Sequence, residues 1–130
     1  MADAAQLGVL KQGADAWNAW RAAHAGTAAD LANASLRGLD LAKANLAGAD
    51  CRKADLRGTI LSGATLTDAN LAGANFFKAV LDAADLAGAN LIGAQFLNCA
   101  QLKTARNWQL AFRDLDLACG AAVPMVADPP

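Results

Sequence analysis

The stretch ADLAGANLIG at residues 84–93 contains two copies of a five-residue unit that repeats over residues 29–98, more than half of the chain. Each unit has a large apolar residue at its centre, and all but two have Ala two residues before it. Asp or Asn precedes the centre in nine of the fourteen units, and Gly stands two residues after it in seven. The centres are Leu31, Leu36, Leu41, Leu46, Cys51, Leu56, Leu61, Leu66, Leu71, Phe76, Leu81, Leu86, Leu91 and Phe96.

A period of five excludes the two regular secondary structures. In an α-helix, residues five apart lie about 140° out of step, so the centres would scatter around the helix. In a continuous strand, an odd period would send successive centres to opposite faces. A turn in every unit removes the conflict and coils the chain. Because one coil cannot bury its own apolar residues, the coils must stack, and the sequence predicts an all-β solenoid with a leucine-filled axis.

The other positions of the unit fit this geometry. Gly after the centre supplies the backbone angles of a tight turn. The Asp or Asn before the centre can accept a hydrogen bond from a nearby backbone amide. We expect this role to explain why the chain, with twelve Asp residues, has no Glu.

The repeat resembles the motif A(D/N)LXX of the pentapeptide-repeat family. The resemblance implies a right-handed quadrilateral β-helix with four units per coil, each coil rising by about 4.8 Å. Residues 29–98 would form three and a half coils, and we assign residues 29–103 to the β-helix. Five units carry the motif most clearly, namely Ala44-Asn45-Leu46, Ala54-Asp55-Leu56, Ala69-Asn70-Leu71, Ala84-Asp85-Leu86 and Ala89-Asn90-Leu91.

Helical caps are predicted at both ends, because the end of a solenoid exposes unpaired backbone and core residues. In the N-terminal cap, residues 1–28, the apolar stripe Leu7, Leu10, Ala14 and Trp17 predicts one amphipathic helix over residues 4–25. His24, the only histidine, is expected to be structural or solvated. The run around Trp17 and the run at residues 105–112 resemble the helices that flank the repeats in short cyanobacterial-type members.

After Asn98 the register shifts, and we predict a one-residue bulge at residues 98–100. A C-terminal capping helix is predicted over residues 104–119 from the spacing of Trp108, Phe112, Leu115 and Cys119. Residues 120–130 should form a loose, flexible tail.

Composition disfavours several functional classes. The net charge of −1 makes a nucleic-acid partner unlikely, and no window of 18 apolar residues indicates a membrane span. With one His and no Glu, the chain offers no catalytic constellation, so no enzyme, cofactor or metal is expected. Three cysteines taken as free thiols, and a start without signal-peptide features, favour the cytoplasm. A signal peptide removed before residue 1 stays open as an alternative.

Function should then lie on the outer faces, where residues twenty apart stack. Phe77, Ile92 and Leu97 form a candidate interaction patch, which could bind a partner, form a homodimer, or be covered by the C-terminal helix. Four basic residues, Arg37, Arg52, Lys53 and Arg57, form a candidate anion-facing patch. For that patch we favour a solvated face partly neutralised by Asp50 and Asp55.

The sequence therefore predicts a non-catalytic structural scaffold or protein–protein interaction module with an unidentified protein partner. The resemblance supplies an alternative, since some pentapeptide-repeat proteins mimic double-stranded DNA and inhibit type II topoisomerases such as gyrase. The proteins that act in this way resemble a long, strongly acidic rod. This chain, by contrast, is short, nearly neutral and basic on part of its surface.

Overall fold

A regular four-sided β-helix occupies the middle of the chain in the computed structural model, which describes residues 2–124. Ten parallel β-bridges each join residues twenty apart, from Asp30 with Asp50 to Asn75 with Gln95. The amide of Leu46 donates to the carbonyl of Thr65 at 2.8 Å, which places Leu46 next to Leu66 in the column. The predicted register of twenty residues per coil is confirmed.

Each side of a coil is a single bridge residue followed by a sharp turn. In the first unit, the amide of Ala34 donates to the carbonyl of Leu31 at 3.1 Å and closes the turn. The corner residue, two after the centre, has positive φ in all thirteen units from Asn33 to Gly93. This is the third position of a type II turn, where Gly is favoured. The predicted role of Gly is confirmed, although six corners use another residue.

The Asp and Asn residues of the motif bond the backbone of their own turn. Every one of the nine accepts, through Oδ1, a hydrogen bond from the amide two residues on, at 3.0–3.3 Å. Inside the column the centres from Leu31 to Leu91 are almost completely buried. Cys51 is among them, and burial raises the pKa of its thiol to about 12, so it remains neutral.

The N-terminal cap contains two helices, α1 (Ala4–Leu10) and α2 (Ala14–Ala23), in place of the single helix predicted over residues 4–25. The break falls at Gly13, whose φ of 112° is incompatible with a helix. Leu10 and Trp17 are fully buried against the first coil, as the apolar stripe predicts. His24 ends α2, and its Nδ1 lies 2.9 Å from the carbonyl of Trp20.

Side chains of the two helices take the place of a preceding coil. Gln6 donates to the carbonyl of Ala28 at 3.0 Å and accepts from the amide of Asp30 at 2.7 Å. Asn18 likewise donates to the carbonyl of Lys43 at 3.0 Å and accepts from the amide of Asn45 at 2.7 Å. Each side-chain amide therefore pairs with one edge of the first coil as a peptide group would.

The regular repeat ends one unit earlier than predicted. Phe96, assigned to the core, is 66% exposed, while Leu97, assigned to the surface, is only 9% exposed. A short helix α3 (Cys99–Leu102), capped by Asn98, replaces the predicted bulge. The helical turn directs Leu102 into the core and accommodates the change of register.

The C-terminal cap differs from the single helix predicted over residues 104–119. Two 3₁₀ turns, Trp108–Leu110 and Leu115–Leu117, flank extended backbone. Arg106 and Phe112 form bridges with Asp85 and Asn90 and continue two sides of the column. A helix would have used the same peptide groups internally, leaving the amides of Leu86 and Leu91 without the acceptors that they find here.

Arg113 organises this cap from the inside. Its side chain is 2% exposed and donates to five backbone carbonyls, those of Gln109, Ala111, Leu117, Ala118 and Ala122. A disulfide joins Cys99 to Cys119, so two of the three cysteines expected to be free thiols are paired. The bond to Ala122 anchors the start of the predicted loose tail, whose residues 125–130 lie outside the described residues.

The corner residues can be tested by exchange. We expect Ala83→Gly to raise the free energy of unfolding by about 1 kcal/mol, because Ala83 has a φ of 59° that only Gly adopts readily. At Gly48 an added Cβ meets no atom. Gly48→Ala should therefore lower the free energy of unfolding by about 1 kcal/mol through backbone strain alone. Urea unfolding measures both changes, and a destabilised Ala83→Gly variant would contradict this account.

The role of Asn18 as a substitute peptide group predicts the effect of a single-atom change. In Asn18→Asp the carboxylate can still accept from the amide of Asn45, but it faces the carbonyl of Lys43 with no donor. We expect a loss of about 1–3 kcal/mol of stability at neutral pH. Gln12→Glu adds the same charge at an exposed site in the same cap and serves as the control. Equal stability of the two variants would rule out the role.

The disulfide predicts a stability that depends on redox conditions. Its closed loop spans 20 residues, and removing such a constraint on the unfolded chain costs about 3 kcal/mol. Cys119→Ser and reduction of the wild type should therefore lower the unfolding midpoint alike. Reductant should leave Cys119→Ser itself unchanged. A wild type insensitive to reductant would contradict the pairing.

Candidate interaction surface

One outer face of the column combines cationic and aromatic side chains. Arg37, Arg57 and Phe77 follow one another on successive coils and line a shallow groove of about 420 Å³ with Gly38, Gly58 and Lys78. The sequence predicts this column of residues twenty apart. Its fourth member was expected to be Leu97, but the change of register buries Leu97 and places Phe96 at the surface beside Phe77.

Phe77 and Phe96 form an exposed aromatic pair. Their ring centroids are 5.8 Å apart with an edge-to-face orientation, and the side chains are 47% and 66% exposed. A second depression, of about 200 Å³, lies between this pair, Arg57 and Asn75. Phe96 is predicted from the sequence to be a buried centre. The sequence signal for its exposure is Asn98, two residues later, whose capping of α3 ends the repeat.

The predicted patch of Phe77, Ile92 and Leu97 is thus only partly exposed. Phe77 is at the surface, Leu97 is buried, and Ile92 is half-buried. Within residues 2–124, the C-terminal cap leaves the aromatic pair open to solvent. Of the predicted patch, Phe77 alone is well exposed, and Phe96 lies beside it at the surface.

The four basic residues divide between two faces. Arg37 and Arg57 border the groove with the aromatic pair, whereas Arg52 and Lys53 line a separate depression with Ala32 and Asn33. Two of the four are paired with the carboxylates anticipated from the sequence. Arg57 binds both oxygens of Asp55, at 2.8 and 2.6 Å, and Arg52 binds both oxygens of Asp50, at 2.9 and 2.7 Å.

These ion pairs are present at neutral pH. Hydrogen bonds from Arg57 lower the pKa of Asp55 to about 2, and those from Arg52 lower the pKa of Asp50. Both acids are therefore ionised and compensate the arginine beside them. Two of the four predicted basic residues, Arg52 and Arg57, are therefore neutralised by a neighbouring carboxylate.

Residues 2–124 contain no group of three His, Cys, Asp or Glu side chains able to hold a metal ion. His24 stacks on Trp20 with centroids 4.5 Å apart, and Cys51 is buried and neutral. Within the same range, the helices are all too short to span a lipid bilayer.

Comparison with known proteins places the repeats in a family. The family model described as pentapeptide repeats matches residues 27–63 and 60–99. A search of curated proteins found no match.

Solved structures with the same repeat are similar. HetL, a pentapeptide repeat protein involved in heterocyst differentiation regulation in the cyanobacterium Nostoc sp. strain PCC 7120, is 36% identical with a TM-score of 0.53. The match covers 67% of this chain and 37% of HetL. QnrB1, a plasmid-mediated fluoroquinolone resistance protein, is 30% identical over 60% of this chain and 36% of its own, with a TM-score of 0.49.

A second Nostoc protein, alr5209, is 27% identical over 95% of this chain and 98% of its own, with a TM-score of 0.40. The chain spans little more than a third of HetL and of QnrB1. The repeats, their twenty-residue register and the family match agree. The chain belongs to the pentapeptide-repeat family, and its fold is a right-handed quadrilateral β-helix.

Proposed function

We propose that this chain is a non-catalytic protein-interaction module whose binding surface is the face bearing Phe77 and Phe96. The observation that supports it is the exposed aromatic pair, since aromatic side chains, Phe among them, are enriched at protein interfaces. Most other units place a small or polar residue after their centres, such as Ala72 and Asp82.

The backbone beneath the pair favours this role. The carbonyl of Phe77 accepts from the amide of Gly58 at 2.9 Å, and the amide of Phe77 donates to Oδ1 of Asn75 at 3.0 Å. A side chain held by so constrained a backbone loses less conformational freedom on binding than one on a mobile loop. HetL acts in the regulation of heterocyst differentiation. A regulatory role through binding is compatible with such a surface.

The alternative of a DNA mimic that inhibits a type II topoisomerase lacks a supporting observation in the described residues. A mimic would present a continuous acidic column, whereas the groove here is lined by Arg37, Arg57 and Lys78. Inhibition of gyrase supercoiling at stoichiometric amounts of protein would overturn this ranking.

One of the two arguments for a cytoplasmic location does not hold. It depended on free thiols, and Cys51 is the one free cysteine in the structure. A disulfide such as Cys99–Cys119 persists most readily in an oxidising compartment. We therefore propose that the protein works where this bond stays formed, and determination of the thiol state in cell extracts tests the point.

The aromatic pair can be tested with two substitutions that suit the fold. Asp82 holds the slot equivalent to Phe77, and Asp is a standard residue in the slot of Val80, so Phe77→Asp and Val80→Asp should both fold. We expect tagged wild type and Val80→Asp to capture the same protein from extracts of the native organism, and Phe77→Asp to lose it. If the partner is a second copy, light scattering should show a dimer that Phe77→Asp converts to monomer.

Circular dichroism and unfolding curves serve as the folding control for each variant. Undiminished capture by a folded Phe77→Asp protein would contradict the proposed surface. Loss of capture by Val80→Asp as well would indicate that another face, or the whole column, is recognised.

A further inference from the structure

We infer that the groove takes a segment of a partner protein in which carboxylates adjoin a large apolar side chain, with the carboxylates against Arg37 and the apolar group against Phe77 and Phe96. The inference rests on the proposed function and specifies the chemistry of its partner. Both kinds of contact lie on the same face, on successive coils.

The charges along the groove are not balanced. Arg57 is neutralised by Asp55, which it holds through both carboxylate oxygens. Arg37 acts on that carboxylate only through space. Within residues 2–124, neither Arg37 nor Lys78 has a salt bridge. The groove therefore carries two uncompensated positive charges on a chain whose net charge is −1.

Lys78 links the charged and apolar parts. Its Nζ lies 5.4 Å from the centroid of the Phe77 ring, so the ammonium group is beside the aromatic pair. A purely apolar partner would have to desolvate this ammonium without a compensating charge, which is costly. A carboxylate next to the apolar group would instead pair with it. The electrostatics thus select an acidic and apolar segment over an apolar one.

The size of the groove fits a short extended segment. Coils are spaced by about 4.8 Å, so the three steps from Arg37 to Phe96 cover roughly 14 Å. An extended chain advances about 3.3 Å per residue, which corresponds to about four or five residues along the groove. Its acidic residues would then lie at the Arg37 end and its apolar residues at the Phe77 end.

Nucleic acid is a poorer occupant of this face. Arg52 and Lys53 lie in a separate depression, and Arg52 and Arg57 are each paired with an aspartate. Few cations remain to replace the counterions of a phosphate chain. We therefore assign the groove to a protein segment, and nucleic-acid binding becomes an outcome of the test.

The test uses the ¹⁵N-labelled full chain and three blocked pentapeptides followed by amide chemical shifts. The probes are acetyl-Asp-Asp-Gly-Phe-Leu-amide, its Lys-Lys-Gly-Phe-Leu counterpart, and Asp-Asp-Gly-Ser-Ser, which keeps the charge and lacks the apolar group. We expect shifts at residues 35–38, 55–58, 75–78 and 96, largest with the first peptide and weakened by salt.

Matched variants separate the charge from the fold. Ala occupies the slot of Arg37 in other units, for example Ala42, so Arg37→Ala should fold. It should weaken binding of the acidic peptide by about two- to fivefold, the effect expected for loss of one exposed ion pair. Arg52→Ala on the neighbouring face should leave the affinity unchanged.

Several results would overturn the inference. Equal affinity for the acidic and basic peptides, with shifts still centred on Phe77, would refute the charge preference and leave the interaction surface standing. Shifts confined to other faces, or none at millimolar peptide, would refute the groove as a peptide site. Tighter binding of an oligothymidylate than of the acidic peptide would reassign it to nucleic acid. The proposed function is tested separately, by the capture experiments with Phe77→Asp and Val80→Asp.

Discussion

The parallel hydrogen bonding between coils is the constraint on which the rest of the molecule depends. A residue finds its partner on the next coil only if that partner lies twenty positions further along the chain, and this register holds through ten bridges. The register requires four turns per coil, and each turn requires a left-handed corner residue. Buried centres, stacked faces and exposed slots are all consequences of this periodicity. The surface therefore inherits its order from the backbone.

At each end of the column, peptide groups have no neighbouring coil and need other hydrogen-bond partners. At the N-terminal end, the side-chain amides of Gln6 and Asn18 bond both a carbonyl and an amide of the first coil. At the C-terminal end, an irregular partial coil bonds the last regular one through Arg106 and Phe112. Arg113 and the disulfide hold that coil in place. Two chemically different solutions thus protect the same kind of edge.

The features that follow from periodicity could be predicted from the sequence, and those that depend on local competition could not. The centres, the corner glycines, the Asp and Asn bonds and the alignment of Arg37, Arg57 and Phe77 are direct results of the five-residue period. Single residues decide the departures. Gly13 breaks the first helix because its φ is positive, and Asn98 starts α3 and so exchanges the places of Phe96 and Leu97.

In the C-terminal cap, the helical spacing of apolar residues does not lead to a helix. The apolar spacing of residues 108–119 is helical, yet the chain there satisfies the last coil instead. Propensity is a weak guide when unpaired peptide groups nearby can be satisfied by extended backbone. The predicted interaction patch differs from the observed surface because Phe96 lies at the junction between the repeat and this cap. Its partner Phe77 lies inside the regular repeat and was identified.

The way the caps dock limits how such a protein can change in length. Asn18 reaches one particular side of the first coil, and Arg106 reaches one particular side of the last. Gaining or losing twenty residues in the interior would restore every side to its former direction and leave both docking sites intact. Inserting one, two or three units would rotate one cap about the axis by a quarter or half turn relative to the other. Homologues that keep both caps should therefore differ in length by whole coils of twenty residues.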